Sequence, residues 1–149
     1  MDQVIEMKGI ELTPLKIFEA HEGNVLHGLK ETDEGFTRFG EAYFSTIKKD
    51  HIKGWKKHTK MVSNLIVPNG EVQFIFYDDR SESETSGCFL AVNLSQKNYQ
   101  RLTVKPGLWM AFKGIDAAEN TVLNIASICH DPNEAVNDPI ESSTKIYPL

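Results

Sequence analysis

Residues 51 to 61, HIKGWKKHTKM, hold four lysines, two histidines and one tryptophan in a chain of 149 residues whose formal net charge is −5. Taken as an extended strand, residues 52 to 60 put Gly54, Lys56 and His58 on one side and Trp55, Lys57 and Thr59 on the other, because strand side chains alternate. A neutral imidazole accepts a proton near neutral pH, and an ammonium stabilises developing oxyanion charge. Lys56 and His58 on one face therefore suit removal of a proton beside a carbonyl. The plainer alternative is a solvated face, with Lys48, Lys49, Lys57 and Lys60 in water and His58 a satisfied surface histidine. Spacing by itself favours that alternative.

Other chemistries find less support. His21, His27, His51, His58 and His130 are scattered and include no His-x-His pair, so no metal is expected. Cys129 directly precedes His130, and neighbours on a strand point to opposite faces, so SICHD reads as the end of a core strand. No glycine-rich loop of phosphate-binding type follows a strand and opens a helix. The acidic balance, with a pI near 5.5, argues against nucleic acid as a partner. No apolar run approaches the ~20 residues that cross a bilayer, so no membrane partner is expected. The only cysteines are Cys88 and Cys129, and MDQVIEMKGIEL lacks the regions of a signal peptide, which points to the cytoplasm.

The basic stretch needs a scaffold, and the sequence describes an all-β one. LTPLKIFEA, TRFGEAYFSTI, SNLIVP, EVQFIFYD, GCFLAVNL, QRLTVKPG and NTVLNIAS are strand-length runs enriched in Val, Ile, Phe, Tyr and Thr. Turn chemistry separates them at short spacing in HEGN, TDEG, PNG, DDRSESETSG, KPG and IDAAEN, which favours a sandwich or jelly roll in a single domain, residues 1–149. Asn69-Gly70 can supply the positive φ angles of a two-residue hairpin between two apolar strands. In the second of these, Val72, Phe74 and Phe76 share one face and Gln73, Ile75 and Tyr77 the other, and both faces look at least partly buried. SESETS reads as a polar loop. IELTPLKIF and VLHGLK carry more apolar residues than one small barrel hides, so a homodimer is expected.

In order and content these stretches resemble the dTDP-4-dehydrorhamnose 3,5-epimerase family of cupin-type jelly rolls, over residues 36 to 149. FGEAYFSTIKKDHIKGWKKH is similar to the strand pair ending in the family's Arg-Gly-x-His motif. FIFYDDRSESETSG resembles its Asp-x-Arg-x-x-Ser-x-Thr-x-Gly segment, NLSQKNYQRLTVKPG its Leu-Ser-x-x-Asn to Pro-x-Gly run, and the closing NDP also fits. The resemblance implies a double-stranded β-helix and a cofactor-independent epimerisation of the carbons flanking the 4-keto group of a dTDP-linked 6-deoxyhexose. In that reaction a histidine base is held by an aspartate, and a tyrosine acid works from the opposite ring face.

Position by position, the machinery is altered. The base histidine falls on Lys56, the tyrosine on Asn124, a pocket histidine on Met110 and the family's lysine near Ser63. Asp138 matches the aspartate that orients the base, Lys53 replaces a substrate-binding arginine, and Glu41 stands where the family tends to have a nucleotide-contacting glutamine. Lys56 and Asp138 would form an ion pair in the barrel mouth. Alternatively Lys56 binds phosphate or the keto oxygen, and base duty passes to His58. Trp109 is either a stacking wall for the ligand or ordinary core.

The resemblance, with the strand alternation for His58 and the aromatic character of Trp109, gives Lys56, His58 and Asp138 as the expected catalytic residues and Glu41, Lys53, Trp109 and Asn124 as the expected substrate-binding ones. The expected ligand is a dTDP-sugar or a related carbohydrate, in deoxysugar or surface-polysaccharide biosynthesis. A non-catalytic sugar-nucleotide- or glycan-binding cupin that lost the dyad is the second reading. A protein whose lysines contact acidic polymer or protein is the third.

Overall fold

The computed structural model describes residues 2–141 and residue 145, and among them every regular element is a strand. In chain order these are β1 (Gln3–Val4), β2 (Ile10–Pro14), β3 (Ile17–Phe18), β4 (Val25–Leu26), β5 (Glu41–Ile47), β6 (Ile52–His58) and β7 (Ser63–Asn69). There follow β8 (Glu71–Tyr77), β9 (Phe89–Ser95), β10 (Gln100–Val104), β11 (Trp109–Gly114), β12 (Asn120–Ala126) and β13 (Ala135–Asn137). A six-stranded sheet runs β1-β9-β8-β11-β6-β13 and a five-stranded sheet β2-β10-β7-β12-β5, with β3 and β4 forming a small separate pair.

The two sheets enclose one apolar layer. Val72, Phe74 and Phe76 of β8 meet Leu65 and Val67 of β7, Leu102 of β10 and Val122 of β12, and all are almost fully buried. A second cluster lies on the outer side of the six-stranded sheet, where Ile75, Trp55, Phe89 and Trp109 are covered in part by Ile140. Both faces of β8 are thus buried, as its apolar residues on each side suggest.

The Asn69-Gly70 turn corrects the sequence expectation. Gly70 does adopt a positive φ of 78°, but β7 and β8 do not pair: β7 lies between β10 and β12, and β8 between β9 and β11. The turn is a corner that carries the chain from one sheet to the other. Asn120 holds it, accepting the Glu71 N–H through Oδ1, and it packs so close to Gly70 that a Cβ there would overlap it. A jelly roll needs such corners because successive strands alternate between layers, and a short-range turn signal does not encode which sheet the next strand joins.

DDRSESETSG also has more order than its composition suggests. Asp78, fully buried, accepts hydrogen bonds from the Arg80 guanidinium at 2.8 and 3.0 Å, from Ser83 Oγ at 2.6 Å and from Thr85 Oγ1 at 2.6 Å. Burial opposes the charge, but these donors outweigh it and hold the carboxyl well below the usual range. The Asp-x-Arg-x-x-Ser-x-Thr pattern is therefore a loop built around one carboxylate.

Before β5 the chain crosses the outer face of the five-stranded sheet, pinned by Tyr99 Oη to the His27 carbonyl at 2.6 Å and by Arg101 Nη1 to the Gly28 carbonyl at 3.0 Å. It enters β5 through Gly40, which touches the Ile128 backbone so closely that no side chain fits. That contact fixes the segment after β12 against the start of β5, where the candidate site forms.

Candidate active site

The site depends on an irregularity in β6. Lys57 and Lys56 pair with Trp109 and Met110 of β11, but the next pairs are Lys53 with Phe112 and Ile52 with Lys113, so β6 carries one extra residue between Lys56 and Lys53. A bulge of this kind shifts the alternation. Lys53 and Lys56, three residues apart, thereby share the inner side with Phe112 and Met110, while Ile52 and Trp55 both join the outer cluster. Beyond the bulge the period of two resumes, and Lys56 and His58 lie on one face, as the sequence suggests.

His58 is held by a residue that the sequence does not flag. Its Nδ1 stands 2.7 Å from Glu134 Oε1, and because an ionised carboxylate has no proton to give, Nδ1 donates. Glu134 Oε2 accepts the backbone N–H groups of Thr59, Lys60 and Met61 at 3.0, 2.9 and 3.0 Å. The Glu134 carbonyl accepts from Thr59 Oγ1 at 2.5 Å and from the Thr59 N–H at 3.0 Å. Burial pushes this carboxyl up, but the bonds from His58 and the backbone prevail and bring it down to about 2. A carboxylate this firmly held fixes the imidazole tautomer and leaves Nε2 for another partner.

A cavity of about 420 Å³ opens over this pair. Glu41 and Tyr43 of β5 line it from the five-stranded sheet, and Lys56 and His58 of β6 from the six-stranded sheet. Met61, Glu134 and the segment His130–Pro132 contribute to its wall, with Asn137 beside Lys56 across the β6–β13 pair. Tyr43 is 43% exposed, and its Oη accepts a hydrogen bond from Asn124 Nδ2 at 3.0 Å. A base held in one tautomer, a phenol from the facing sheet and a lysine in one mouth can remove a proton next to a carbonyl, stabilise the enolate and return a proton. A larger groove, about 990 Å³ and lined by Ile5, Met7, Leu12 and Arg80 among others, lies elsewhere. Its Arg80, Ser83 and Thr85 are engaged by Asp78.

Of the residues singled out in the sequence, Glu41, Lys56 and His58 meet in this cavity, and Asn124 reaches it through Tyr43. Asp138 does not: its backbone pairs with Trp55, a residue of the outer face, and its Oδ2 accepts from Lys145 Nζ at 2.5 Å. The expected Lys56–Asp138 ion pair is therefore absent, because β13 register sets Asn137 rather than Asp138 beside Lys56. Trp109 also faces outward, donating from Nε1 to Asp79 Oδ2 at 2.9 Å with Lys57 and Lys145 over its ring, so it is no wall of the cavity. Lys57 is likewise no free solvated lysine, since it pairs with Asp79 at 3.0 Å. Lys53 turns to the inner side through the bulge and donates to the Thr46 carbonyl at 2.7 Å. The sequence does not single out Tyr43 or Glu134 as site residues, and it offers His130 only as an unpaired histidine next to Cys129. Only Tyr43 left a signal, as one of the alternate residues Glu41, Tyr43 and Ser45 that share the inner face of β5.

A two-sheet β jelly roll with a histidine–carboxylate pair and a tyrosine in its mouth belongs to the cupin-type class. No family model matches the chain. It is 33% identical to a dTDP sugar isomerase from Desulfovibrio desulfuricans G20, superposing with a TM-score of 0.88 over 91% of this chain and 87% of that one. It is 20% identical over 126 residues to the spore coat polysaccharide biosynthesis protein SpsL of Bacillus subtilis, covering 85% of this chain and 83% of that protein. It is 23% identical over 91 residues to the probable low-salt glycan biosynthesis epimerase Agl13 of Haloferax volcanii, covering 60% of this chain and 58% of that protein, so the match spans little more than half of Agl13. The chain belongs to the family of dTDP-sugar isomerases and dTDP-4-dehydrorhamnose 3,5-epimerase-like cupins, as a divergent member.

Proposed function

We propose that the chain is an epimerase or isomerase of a dTDP-linked 4-keto-6-deoxyhexose, serving deoxysugar or surface-polysaccharide biosynthesis. The observation that carries this reading is the meeting of the His58–Glu134 pair and Tyr43 in one cavity from two different sheets. His58 removes the proton from a carbon beside the keto group, Glu134 stabilises the imidazolium, and Lys56 neutralises charge on the enolate oxygen or on the diphosphate. Tyr43 returns a proton from the other wall, which inverts the carbon. A base, an acid and a cation complete such an enolisation, so the proposed chemistry runs on the chain's own side chains.

The proposed form is a single-domain, cytoplasmic homodimer. Support for the dimer comes from Leu12, Phe18 and Val25 on the N-terminal strands and Phe39 and Phe44 near β5, all more than 40% exposed. Incubation with dTDP-4-keto-6-deoxyglucose in deuterated water should introduce label beside the keto group. His58→Ala should bind dTDP as the wild type does and exchange at least about 100-fold more slowly. Tight binding of dTDP-sugar without any exchange would favour the non-catalytic carbohydrate-binding cupin instead.

A further inference from the structure

Asn124 is an inward-facing residue of β12, 7% exposed, and it sits directly opposite Tyr43 in the antiparallel β12–β5 register. Cross-strand partners on one face are close enough to act as a unit. Asn124 Nδ2 donates to Tyr43 Oη at 3.0 Å, and Asn124 Oδ1 is buried without a hydrogen-bond partner. A buried amide end without a partner is costly, so the contact with the phenol is what holds this side chain in place. With Nδ2 turned toward it, the phenol oxygen is an acceptor and its own proton is free to point into the cavity. With Oδ1 turned toward it, the phenol would spend that proton on the amide.

We propose that Asn124 is a positioning residue that reserves the Tyr43 proton for the substrate and then holds the phenolate. The inference rests on the function proposed above. In the step concerned, the enolate electron pair forms a new C–H bond with the Tyr43 proton, the O–H bond breaks, and the charge moves to Tyr43 Oη. Nδ2 already donates to that oxygen, so the bond strengthens as the charge arrives, and proton transfer from water restores the phenol. The amide is suited to this because Nδ2 donates to the oxygen of the phenol and of the phenolate alike, so Tyr43 stays partnered in both protonation states.

Two rates separate this role from a structural one: deuterium wash-in beside the keto group, which needs His58, and formation of inverted product, which also needs Tyr43. Tyr43→Phe should retain wash-in and lose inversion. Asn124→Asp keeps the shape of the side chain but accepts the phenolic proton instead of donating, and Asn124→Leu removes both functions. Each should lower inversion about 10- to 100-fold while wash-in stays within about 3-fold of wild type. Adding Asn124→Leu to Tyr43→Phe should leave wash-in at the Tyr43→Phe level, because the two act as a unit. As a readout independent of turnover, the Asn124 side-chain amide proton signal should move upfield in Tyr43→Phe.

Inversion that survives Asn124→Asp, or an amide signal indifferent to Tyr43→Phe, overturns this inference alone. A further loss of wash-in when Asn124→Leu is added to Tyr43→Phe does so too. A folded wild type that shows neither wash-in nor inversion overturns the proposed function and this inference with it.

Discussion

Glu134 and His58 lie 76 residues apart and meet at 2.7 Å, with the second oxygen of the carboxylate enclosed by three consecutive backbone N–H groups from residues 59 to 61. The pair joins a turn before β13 to the end of β6, and it does two jobs with one side chain. It orients the imidazole, and it satisfies the backbone where the chain leaves β6 for β7.

Glu134→Gln should therefore damage both. The amide keeps an acceptor but loses the charge, so stability should fall by about 1–3 kcal/mol, as when a buried charged acceptor is weakened. Proton exchange beside the keto group should fall by about 100-fold with little change in dTDP affinity. Urea denaturation and deuterium wash-in measure the two effects, and a variant of full stability and full exchange would remove Glu134 from the site.

The depressed Glu134 carboxyl also sets an acid limit on stability. Its folded value, about 2, lies below the ordinary value of 4.5, so the folded state binds fewer protons than the unfolded one between these limits. The stabilisation is complete above pH 4.5 and is lost as pH falls toward 2. From pH 6 to pH 3 the wild type should lose about 2 kcal/mol more than Glu134→Gln does. Denaturant titrations at the two pH values check the difference, and parallel losses would count against it.

Lys56 is the lysine of the cavity, whereas Lys53 is bonded to the Thr46 carbonyl. Lys56→Ala should weaken dTDP binding about 10-fold at low salt, with the deficit shrinking as ionic strength rises, because the lost interaction is largely with phosphate charge. Lys53→Ala should have the smaller effect on affinity. Calorimetric titration with dTDP at two salt concentrations distinguishes them, and the reverse order would restore Lys53 as the phosphate ligand.

Trp109 tests which side of the six-stranded sheet matters. Trp109→Phe removes the donor to Asp79 and weakens the cation contacts with Lys57 and Lys145 on the outer face. Stability should fall by about 1–3 kcal/mol while dTDP affinity and exchange remain at the wild-type level. A selective loss of affinity would put the indole back at the ligand.

The strands, their order and the apolar inner faces were legible because they follow from local alternation and turn chemistry, and Lys56 and His58 fall on one face for the same reason. Several motifs in series also carried the family, since a jelly roll repeats strand and corner at fixed intervals. What the chain could not announce is which strand meets which. The extra residue in β6 swings Lys53 inward, and the register of β13 sends Asp138 outward. Asn69-Gly70 makes a corner in place of a hairpin, and Glu134 arrives at His58 from a turn with no motif of its own. Each depends on pairing between distant segments, where a shift of one residue exchanges the two faces of a strand, and that choice is made only when the two sheets close around their common core.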